Sequence, residues 1–427
     1  MQPLIVDPVY PQMTLQPMTA LSAAPLDGIR VLDLSRILAG PFCGQNLADL
    51  GADVIKVERP GAGDDTRGWG PPFLRDADHR ETSDAAYFAA ANRGKRSVTI
   101  NLADPRGQAL VRTLVSQCDV LLENYRVGQL ARYGLDAASL LKLNPRLIYC
   151  SITGFGQTGP WAHRAGYDFV IQGLCGFMSV TGEADDRPGG GPQKAGVAVT
   201  DLMTGMYATQ AILAALIARG RTGQGQHIDL ALLDVGVAMM ANMATNYLAN
   251  DNPPVRQGNA HPNIVPYQTF RAADGWIIVA VGNDEQFRRF VTTGEEPALA
   301  SDPRWARNAD RVRGRDTLIP LLEQMVKRKA AAWWIDALEA VGVPCGPIQD
   351  LGQVFKHPQV LARELGVGLD RDGATVRMVA NPIRLSATPV RLERAPPALG
   401  ADTDDILSTL GGLTIEALAA LRHDGVV

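Results

Sequence analysis

The sequence has few of the residue groupings that build metal, disulfide or redox sites. Its five cysteines lie at least twenty-five residues apart and form no C-x-x-C pair, which argues against a disulfide framework and against a zinc knuckle. Its six histidines are equally scattered, with no H-E-x-x-H sequence, so we expect no metal site.

Three common catalytic motifs are also missing. The chain has neither the G-x-S-x-G sequence of serine hydrolases nor the G-x-x-x-x-G-K-[ST] phosphate loop. The nearest match to a dinucleotide-binding motif, GAGDDT at 61–66, has Thr66 where close packing of helix on strand requires a third glycine. We therefore expect neither nicotinamide chemistry nor a permanently bound cofactor.

Charge and hydrophobicity are those of an ordinary globular protein. Lysine and arginine total 41 against 45 aspartate and glutamate residues, a net charge of −4, so nucleic acid is not expected as a partner. The first basic residue is Arg30, which argues against a signal or transit peptide. The longest apolar runs, near Val197 and Val235, are interrupted by Asp201 and Asn242 before the ~20 residues that a bilayer span needs. We therefore expect a cytoplasmic protein without a membrane partner.

Glycine and proline, in contrast, are abundant. They supply 43 and 28 of the 427 residues and are spread along the chain, which indicates many turns. At ~150 residues per domain the length predicts two or three domains. Residues 1–24, rich in proline, are expected to form an irregular N-terminal extension. We place a large domain in residues 25–225, linker helices and a small domain in 226–341, and a segment that completes the large domain in 342–427.

Strand patterns alternate with helical ones in the first part of the chain. Short apolar strands are predicted at 29–34, 52–58, 97–102, 120–123 and 147–151, and helices at 41–50 and 105–117. This alternation predicts an α/β fold with a doubly wound, Rossmann-like, mostly parallel sheet. Ligands bind beyond the carboxyl ends of such strands, which here are the loops that start at Arg59, Asn124 and Thr153.

The later part of the chain predicts a different architecture. Small and apolar residues recur at helical spacing in 200–219 and 230–248, which predicts two long, closely packed helices that form core or a subunit interface. A hairpin is predicted at 267–270 and 276–281, followed by helices to about Val341. This segment is the smaller, inserted α+β domain.

The densest cluster of unusual residues is GFGQTGP at 154–160, directly after a predicted strand. Its glycines allow the backbone to turn sharply and to approach a ligand closely. Asp168 follows this cluster and opens an apolar segment with helical spacing. Its carboxylate either caps that helix or acts as a nucleophile at the helix N-terminus, and the spacing alone leaves both interpretations open.

Short blocks stand in a fixed order along the chain. They are LDGIRVLD (26–33), AGP (39–41), GADVIKVE (51–58), NRGKRS (92–97), ENY (123–125), GFGQTGP (154–160), GYD (166–168), GVPCGPI (342–348) and GVV (425–427). Together they resemble the class III coenzyme A-transferases, the CaiB/BaiF family. The likeness runs from about Leu26 to Val427 and implies an interlaced dimer of the kind that family members form.

The resemblance implies an enzyme that moves coenzyme A between carboxylic acids through an aspartate, here Asp168. The carboxylate attacks an acyl-CoA thioester to form an anhydride, the thiolate re-attacks to form an aspartyl thioester, and an acceptor acid displaces it. Backbone N–H groups of Gly154 and Gly156 are candidates to hold the oxyanion. His261 lies where relatives have a mobile glycine-rich loop, and it is either an acceptor contact or solvated.

The resemblance also implies a path for coenzyme A, which serves as substrate rather than as a resident cofactor. The residues implied to border that path are Ala39, Arg59, Asn124, Tyr125 and Arg132. Lys95 and Arg96 form a basic pair that either contacts phosphate or lies in a solvated turn. Leu38 replaces the glutamine of some relatives, which removes one polar contact.

Two other functions stay open at this point. Alpha-methylacyl-CoA racemases share the fold and the aspartate, but they commonly have histidine directly before it, where this chain has Tyr167. Their upstream histidine has no counterpart here, since no histidine lies between His79 and His163. A noncatalytic acyl-CoA-binding or assembly protein would use Asp168 only as a cap. The intact GYD block favours transfer.

Within the family, GAGDDTR at 61–67 and WGPPF at 69–73 look most like the branch that transfers coenzyme A from succinyl-CoA to glutarate. A short dicarboxylate acceptor needs a cation or donor for its distal carboxyl group. Arg164, Lys194 and His261 are the candidates for that contact.

Overall fold

The computed structural model describes residues 24–427, and the alternation of strands and helices predicted above is confirmed there. In chain order the strands are β1 (Arg30–Asp33), β2 (Asp53–Glu58), β3 (Phe73–Arg75), β4 (Glu81–Ala85), β5 (Lys95–Thr99), β6 (Val120–Glu123), β7 (Ile148–Thr153), β8 (Gln226–Ala231), β9 (Tyr267–Arg271), β10 (Trp276–Ala280), β11 (Cys345–Pro347), β12 (Gly366–Arg371) and β13 (Ala374–Val379). The predicted N-terminal extension, except for its last residue, lies outside the described residues.

Helices connect most of these strands. In chain order they are α1 (Ala39–Asp49), α2 (Ala86–Ala89), α3 (Pro105–Val115), α4 (Ala137–Leu143), α5 (Asp168–Leu174), α6 (Phe177–Val180), α7 (Val199–Thr222), α8 (Leu232–Ala238), α9 (Ala241–Asn250), α10 (Asp284–Thr293), α11 (Pro297–Ser301), α12 (Asn308–Arg313), α13 (Arg315–Val326), α14 (Ala331–Ala340), α15 (Leu351–Val354), α16 (Pro358–Ala362), α17 (Thr403–Thr409) and α18 (Ile415–His423). Local signals set several ends: Asp104 caps α3 ahead of Pro105, and Gly223 ends α7 in the left-handed conformation.

The six strands of the large sheet run parallel in the order β5-β2-β1-β6-β7-β8. Successive side chains of a strand point to opposite faces, so alternate residues enter two separate cores. Leu32 and Ile55 pack with α3, α4, α17 and α18 on one face. Val31 and Val54 pack with α1, α7 and α8 on the other. The predicted α/β class and parallel sheet are confirmed, with helices on both faces.

Two predicted elements differ from the structure. The helix predicted at 230–248 overlaps the end of strand β8, which pairs with β7 in parallel register, and is then divided into α8 and α9. Ala241 has a φ of 42° at the junction of those helices, a backbone conformation that a continuous helix does not contain. Strand β5 starts at Lys95, two residues before the predicted start.

Helix α7, with 24 residues, is long and apolar enough to cross a membrane by length and composition alone. One of its faces, with Ala208, Ile212 and Ala215, is part of the core beside α1. Asp201, treated above as the end of an apolar run, lies in its first turn, where the helix dipole stabilises a carboxylate. The helix predicted at 200–219 is therefore confirmed, with one residue more at its start and three more at its end.

The chain divides into two compact units. Unit 1 comprises the described residues up to Cys175, Gly196–Ala241 and Pro358–Val427, and unit 2 comprises Gly176–Ala195 and Asn242–His357. These limits differ from the predicted boundaries at 225 and 341. Unit 2 contains the antiparallel sheet β11-β10-β9 and helices that enclose a core with Phe270, Phe290 and Trp334.

Candidate active site

The carboxyl ends of β1, β6 and β7 border a cavity of about 180 Å³ within unit 1. Its walls include residues 36–39 after β1, 124–127 after β6, and Ala162 and 164–167 before α5, together with Gly154 and Asp201. The loops that start at Asn124 and Thr153 therefore contribute to it, as predicted for ligand-binding loops. The loop that starts at Arg59 does not.

A larger cavity, of about 560 Å³, opens elsewhere in unit 1, beside Gly51 and Gly94 at the amino ends of β2 and β5. Arg371, Arg391 and Arg394 line it. Each of these arginines pairs with a carboxylate of the same unit, respectively Asp84, Asp27 and Asp402. Because ligands of parallel sheets bind at the carboxyl ends of strands, the smaller cavity is the candidate active site.

Asp168 lies beside this cavity as the first residue of α5. Its Oδ1 accepts hydrogen bonds from the backbone N–H of Thr200, at 2.8 Å, and from the Thr200 hydroxyl, at 2.6 Å. Its Oδ2 accepts from Nε2 of Gln172 at 2.7 Å. The N-cap of α5 is Tyr167, so the interpretation of Asp168 as a helix cap is wrong. The carboxylate is instead oriented by side chains and by the N-terminus of α7.

Two glycines bring the loop after β7 against the segment that precedes Asp168. A Cβ on Gly154 would lie 2.6 Å from Cα of Gly166, and a Cβ on Gly166 would lie 2.5 Å from Cα of Gly154. Either side chain would force the two backbones apart. This close approach requires glycine at both positions and fixes the site of Asp168 two residues further along.

Gly156, the second predicted oxyanion donor, is engaged elsewhere. Its N–H donates to Oγ1 of Thr153 at 2.9 Å. The N–H of Gln157 donates to the Asp229 carboxylate at 3.0 Å, which fixes the same loop. These contacts correct the prediction for Gly156. Gly154, which lines the cavity, is the remaining backbone candidate.

Asn124 and Tyr125 line the cavity, but the Asn124 amide is already bonded. Its Oδ1 accepts the N–H of Arg36 at 2.9 Å, and its Nδ2 donates to the Arg36 carbonyl at 2.6 Å. The Arg36 guanidinium lies 5.7 Å from the centre of the Tyr125 ring. Asn124 therefore joins the loops after β1 and β6, and Tyr125 and Ala39 form the adjoining wall.

Lys95 lies in the interior of unit 1 and not at the cavity. It is fully buried, and its amino group donates to Oδ2 of Asp33 at 2.9 Å, Oδ1 of Asn92 at 2.9 Å and the Pro41 carbonyl at 2.8 Å. These acceptors satisfy all three donors of an ammonium group. The hypothesis that Lys95 contacts phosphate is therefore wrong.

Three other predicted arginines lie outside the cavity wall. Arg96 pairs with Asp53 at 2.7 Å and with Asp405 at 3.2 Å. Arg59 is exposed directly after β2, and Arg132 is exposed in a short 3-10 helix. The cations in the cavity wall are instead Arg36, Arg126 and Arg164.

His261 and Lys194 belong to unit 2. Nδ1 of His261 accepts the N–H of Asn263 at 3.0 Å, so Nε2 carries the proton of the neutral ring. Partial burial, and after it the charge of Arg315, lower the pKa of His261. The Arg315 guanidinium also donates to the His261 carbonyl at 3.2 Å. Lys194 donates to the Ala195 carbonyl at 3.0 Å.

Most of the chain is similar to one known protein family. The model of "CoA-transferase family III" matches residues 26–403. This chain belongs to CoA-transferase family III. The family resemblance seen in the sequence blocks is thereby confirmed.

Relatives within CoA-transferase family III cover nearly the whole chain. A "Succinate--glutarate CoA-transferase" of Agrobacterium fabrum is 52% identical over 400 residues, which cover 92% of this chain and 97% of that protein. A human "Succinyl-CoA:glutarate CoA-transferase" is 42% identical over 406 residues, 94% of this chain and 90% of that protein. A crystal structure of a CAIB/BAIF family protein from Brucella suis is similar with 50% identity and a TM-score of 0.79, covering 91% of this chain and 100% of that one. The protein is a CoA-transferase.

Sequence reasoning missed two buried carboxylates of this CoA-transferase, one in the cavity wall and one outside it. Asp201 lines the cavity, and Glu123, buried at the end of β6, accepts the N–H of Tyr125 at 2.8 Å. Burial raises the pKa of both groups to about 7, and the neighbouring charges of Asp168 and Asp229 act in the same direction. Both could have been found in the sequence, because Asp201 is a carboxylate inside an apolar helical run and Glu123 opens the ENY block.

The cavity offers little support for the two alternative functions. None of the described residues that line it is a histidine, so a racemase-type pair of aspartate and histidine is not assembled in its walls. His163, between Ala162 and Arg164 in the loop before α5, is exposed and does not line the cavity. His227 is bonded through Nε2 to the Ser151 hydroxyl at 2.9 Å. The family assignment likewise sets aside a noncatalytic binding protein.

Proposed function

We propose that this CoA-transferase moves coenzyme A from succinyl-CoA to glutarate or another short dicarboxylate, with Asp168 as the nucleophile. The observation that carries the assignment of Asp168 is its hydrogen bonding to Thr200 and Gln172, which holds a carboxylate at the cavity without using it as a helix cap. The names of the relatives support the choice of acids.

The reaction proceeds through two kinds of covalent intermediate. An oxygen of Asp168 attacks the thioester carbonyl, the C–S bond breaks, and the electron pair leaves with the CoA sulfur. The thiolate then attacks the Asp168 carbonyl of the anhydride, releases succinate and forms an aspartyl thioester. The acceptor carboxylate repeats these two steps in reverse and regenerates Asp168. Each intermediate conserves the energy of the thioester, provided that water is kept out.

Asp168→Asn and Asp168→Ala test the nucleophile. Both variants should lose turnover by at least about 10³-fold, because no other group replaces the attacking oxygen. Asp234→Asn is the matched control, since Asp234 is an exposed carboxylate in the first turn of α8. Near-native turnover of Asp168→Ala, with contaminating enzyme excluded, would refute the assignment.

A panel of acceptor acids tests the substrate class. With succinyl-CoA as donor, CoA transfer should be faster to glutarate and similar dicarboxylates than to formate, oxalate or carnitine-type acids. A preference for any of the latter group overturns the dicarboxylate proposal without affecting the family assignment.

Arg164 is the proposed contact for the distal carboxyl group of a dicarboxylate. It lines the cavity, and its guanidinium lies 4.2 Å from the centre of the Trp161 ring, which restricts its position. Arg164→Leu should raise KM for glutarate at least about tenfold more than KM for a monocarboxylate, because a charge-assisted hydrogen bond is lost. Arg126→Leu is the control for a cation of the same wall. Equal effects on both acids would exclude Arg164 from this contact.

The coenzyme A path is proposed to follow Ala39 and Tyr125 in the cavity wall. Arg59, exposed outside the cavity wall, is proposed to lie near the phosphate end of coenzyme A, and Arg132, also exposed, is proposed to border the path. Asn124 is proposed to border it too, held in place by its bonds to Arg36. Arg96 is a weaker proposal because two carboxylates already neutralise it.

An interlaced homodimer is the proposed assembly. Helices α5 and α7 carry apolar side chains that are exposed in the single chain, namely Phe169, Val170, Leu174, Met206, Tyr207 and Ile217. Soluble monomers rarely expose apolar surface of this kind on neighbouring helices. Light scattering should give twice the chain mass of 45.7 kDa, and a stable monomer would overturn the proposal.

A further inference from the structure

A second carboxyl group adjoins the proposed nucleophile. Asp201 directly follows Thr200, the residue that holds Asp168, in the first turn of α7. Its backbone N–H lies 3.4 Å from Oδ1 of Asp168. Its side chain lines the same cavity as Gly154. Asp201 therefore adjoins both Asp168 and the space in which Asp168 would react.

The two carboxyl groups differ in their partners. Both oxygens of Asp168 accept hydrogen bonds, from Thr200 and from Gln172. Within residues 24–427 no hydrogen bond or ion pair to the Asp201 carboxyl group is present. An ionised carboxylate at that position would be largely desolvated next to a like charge, and the helix N-terminus would oppose this cost without the help of a paired cation. The neutral acid avoids this cost and retains an O–H donor.

The charged surroundings of Asp201 favour the same state. Burial, and after it the charge of Asp168, raise its pKa to about 7, and the Tyr87 phenol that faces both carboxyl groups has a raised pKa for the same reasons. The titratable groups across the cavity are Arg36, Tyr125, Arg126, Arg164 and Tyr167. Of the other elements packed on α7, α1 brings Cys43 against Thr209 two turns further along, and α8 carries Asp234.

We propose that Asp201 is a second catalytic carboxyl group that works in its protonated form and donates a hydrogen bond to the sulfur of the detached CoA thiolate. The inference rests on Asp168 as the nucleophile. The released sulfur must stay within reach of the Asp168 carbonyl, because it is the next attacking atom. A donor beside that carbonyl stabilises the sulfur's negative charge. A proton that passes from Asp201 to the sulfur when the sulfur is released returns to Asp201 as the sulfur attacks again, so the transfer needs no co-reactant.

The ionised form of Asp201 has the opposite effect. It offers no donor, and it places a second negative charge beside the point that the thiolate and the acceptor carboxylate must reach. Turnover should therefore decline as Asp201 loses its proton, even though Asp168 itself reacts as a carboxylate.

Asp201→Asn and Asp201→Ala test this inference through the pH profile of kcat. In the wild type, kcat should fall above about pH 7. Asp201→Asn keeps an N–H donor that does not titrate, so it should retain kcat within about tenfold of wild type at pH 6.5 and lack the alkaline decline. Asp201→Ala has no donor and should lose kcat about 10²- to 10³-fold at every pH.

Glu123→Gln is the control, because Glu123 also titrates near neutral pH but does not line the cavity. Its alkaline decline should persist. A wild type without a decline, a decline that persists in Asp201→Asn, or equal losses in Asp201→Asn and Asp201→Ala would each overturn the role of Asp201. If Asp201→Ala fails to fold, the isosteric Asp201→Asn profile decides alone.

Mass spectrometry of the quenched enzyme separates this inference from the proposal on which it rests. The wild type, incubated with succinyl-CoA, should carry an acyl or CoA adduct on the peptide that contains Asp168. If no adduct forms there, the proposed nucleophile fails. If the adduct forms in both wild type and Asp201→Asn while the pH profiles coincide, only the role of Asp201 fails.

Discussion

Two groups of buried carboxylates in unit 1 differ in whether a cation lies beside them. The first group lies between the sheet and the loops after β1 and β2, where each carboxylate meets a cation. The second group, Asp201 and Glu123, lies at the carboxyl ends of the strands and in the first turn of α7, where no described cation pairs with it.

In the first group, opposite charges are matched at short distance. Lys95 lies 2.9 Å from Asp33, Lys56 lies 2.9 Å from Asp64, and Arg67 lies 2.7 Å from Glu58, and all of these side chains are almost fully buried. Burial by itself would raise the pKa of Asp33, but Lys95 and Lys56 hold it below its usual value. The same balance holds the pKa of Asp64 at about 2.

In the second group, burial acts without such compensation. Asp201 has only a like charge beside it, and Glu123 has hydrogen bonds from Ser151 and Tyr125 but no cation. Both carboxyl groups therefore keep their protons up to about pH 7. Burial alone thus does not set the protonation state of a carboxyl group; the presence or absence of a paired cation does.

The largest expected effect is the loss of a cation from the first group. Lys95→Met should lower the free energy of unfolding by about 3–5 kcal/mol, because it leaves the Asp33 carboxylate buried and unpaired. Urea denaturation at pH 7 measures this, with the exposed Lys142→Met as control, for which less than about 0.5 kcal/mol is expected. Adding Asp33→Asn should recover part of the loss. If Lys95→Met is as stable as the wild type, the pairing does not stabilise the fold.

The next effect is the pH dependence of stability that the unpaired carboxyl group of Asp201 produces. The folded-state pKa of Asp201 lies above its usual 3.8, so the folded protein binds more protons and loses stability as pH rises from about 4 to about 7. Asp201→Asn removes this decline. Its melting temperature should exceed that of the wild type by a few degrees at pH 8, and the difference should disappear near pH 4. A difference that does not change with pH contradicts the unpaired state of Asp201.

The smallest effect concerns Glu123, whose pKa moves from 4.5 to about 7, a smaller change than that of Asp201. Glu123→Gln should show the same direction, a stability gain at pH 8 that vanishes near pH 4, but of smaller size. Calorimetry of both variants at matched pH values measures the order. A larger gain for Glu123→Gln would mean that its hydrogen bonds from Ser151 and Tyr125 do not hold the ionised form.

The local hydrophobic pattern was sufficient to predict those elements whose residues follow a single periodicity, either that of a strand or that of a helix. Strand β6 has the bounds predicted from its apolar run, and helix α3 begins at the predicted Pro105 and ends two residues before the predicted end. The prediction for the region after Gly223 was wrong because the apolar residues of 230–248 fit a helix. Residues 226–231 form a strand there because they pair with β7 as the sixth strand of the sheet. Pairing with a distant strand decided that assignment.

The sequence by itself determined the α/β class and the glycine-rich turn after β7, because these depend on local spacing, and its short blocks singled out Asp168 as the proposed nucleophile. Only the tertiary structure decided the partners of each charge. It buried Lys95 against Asp33, engaged the N–H of Gly156, and set Asp201 beside Asp168 from 33 residues away. Such contacts depend on which strands and helices become neighbours, and no local pattern encodes them.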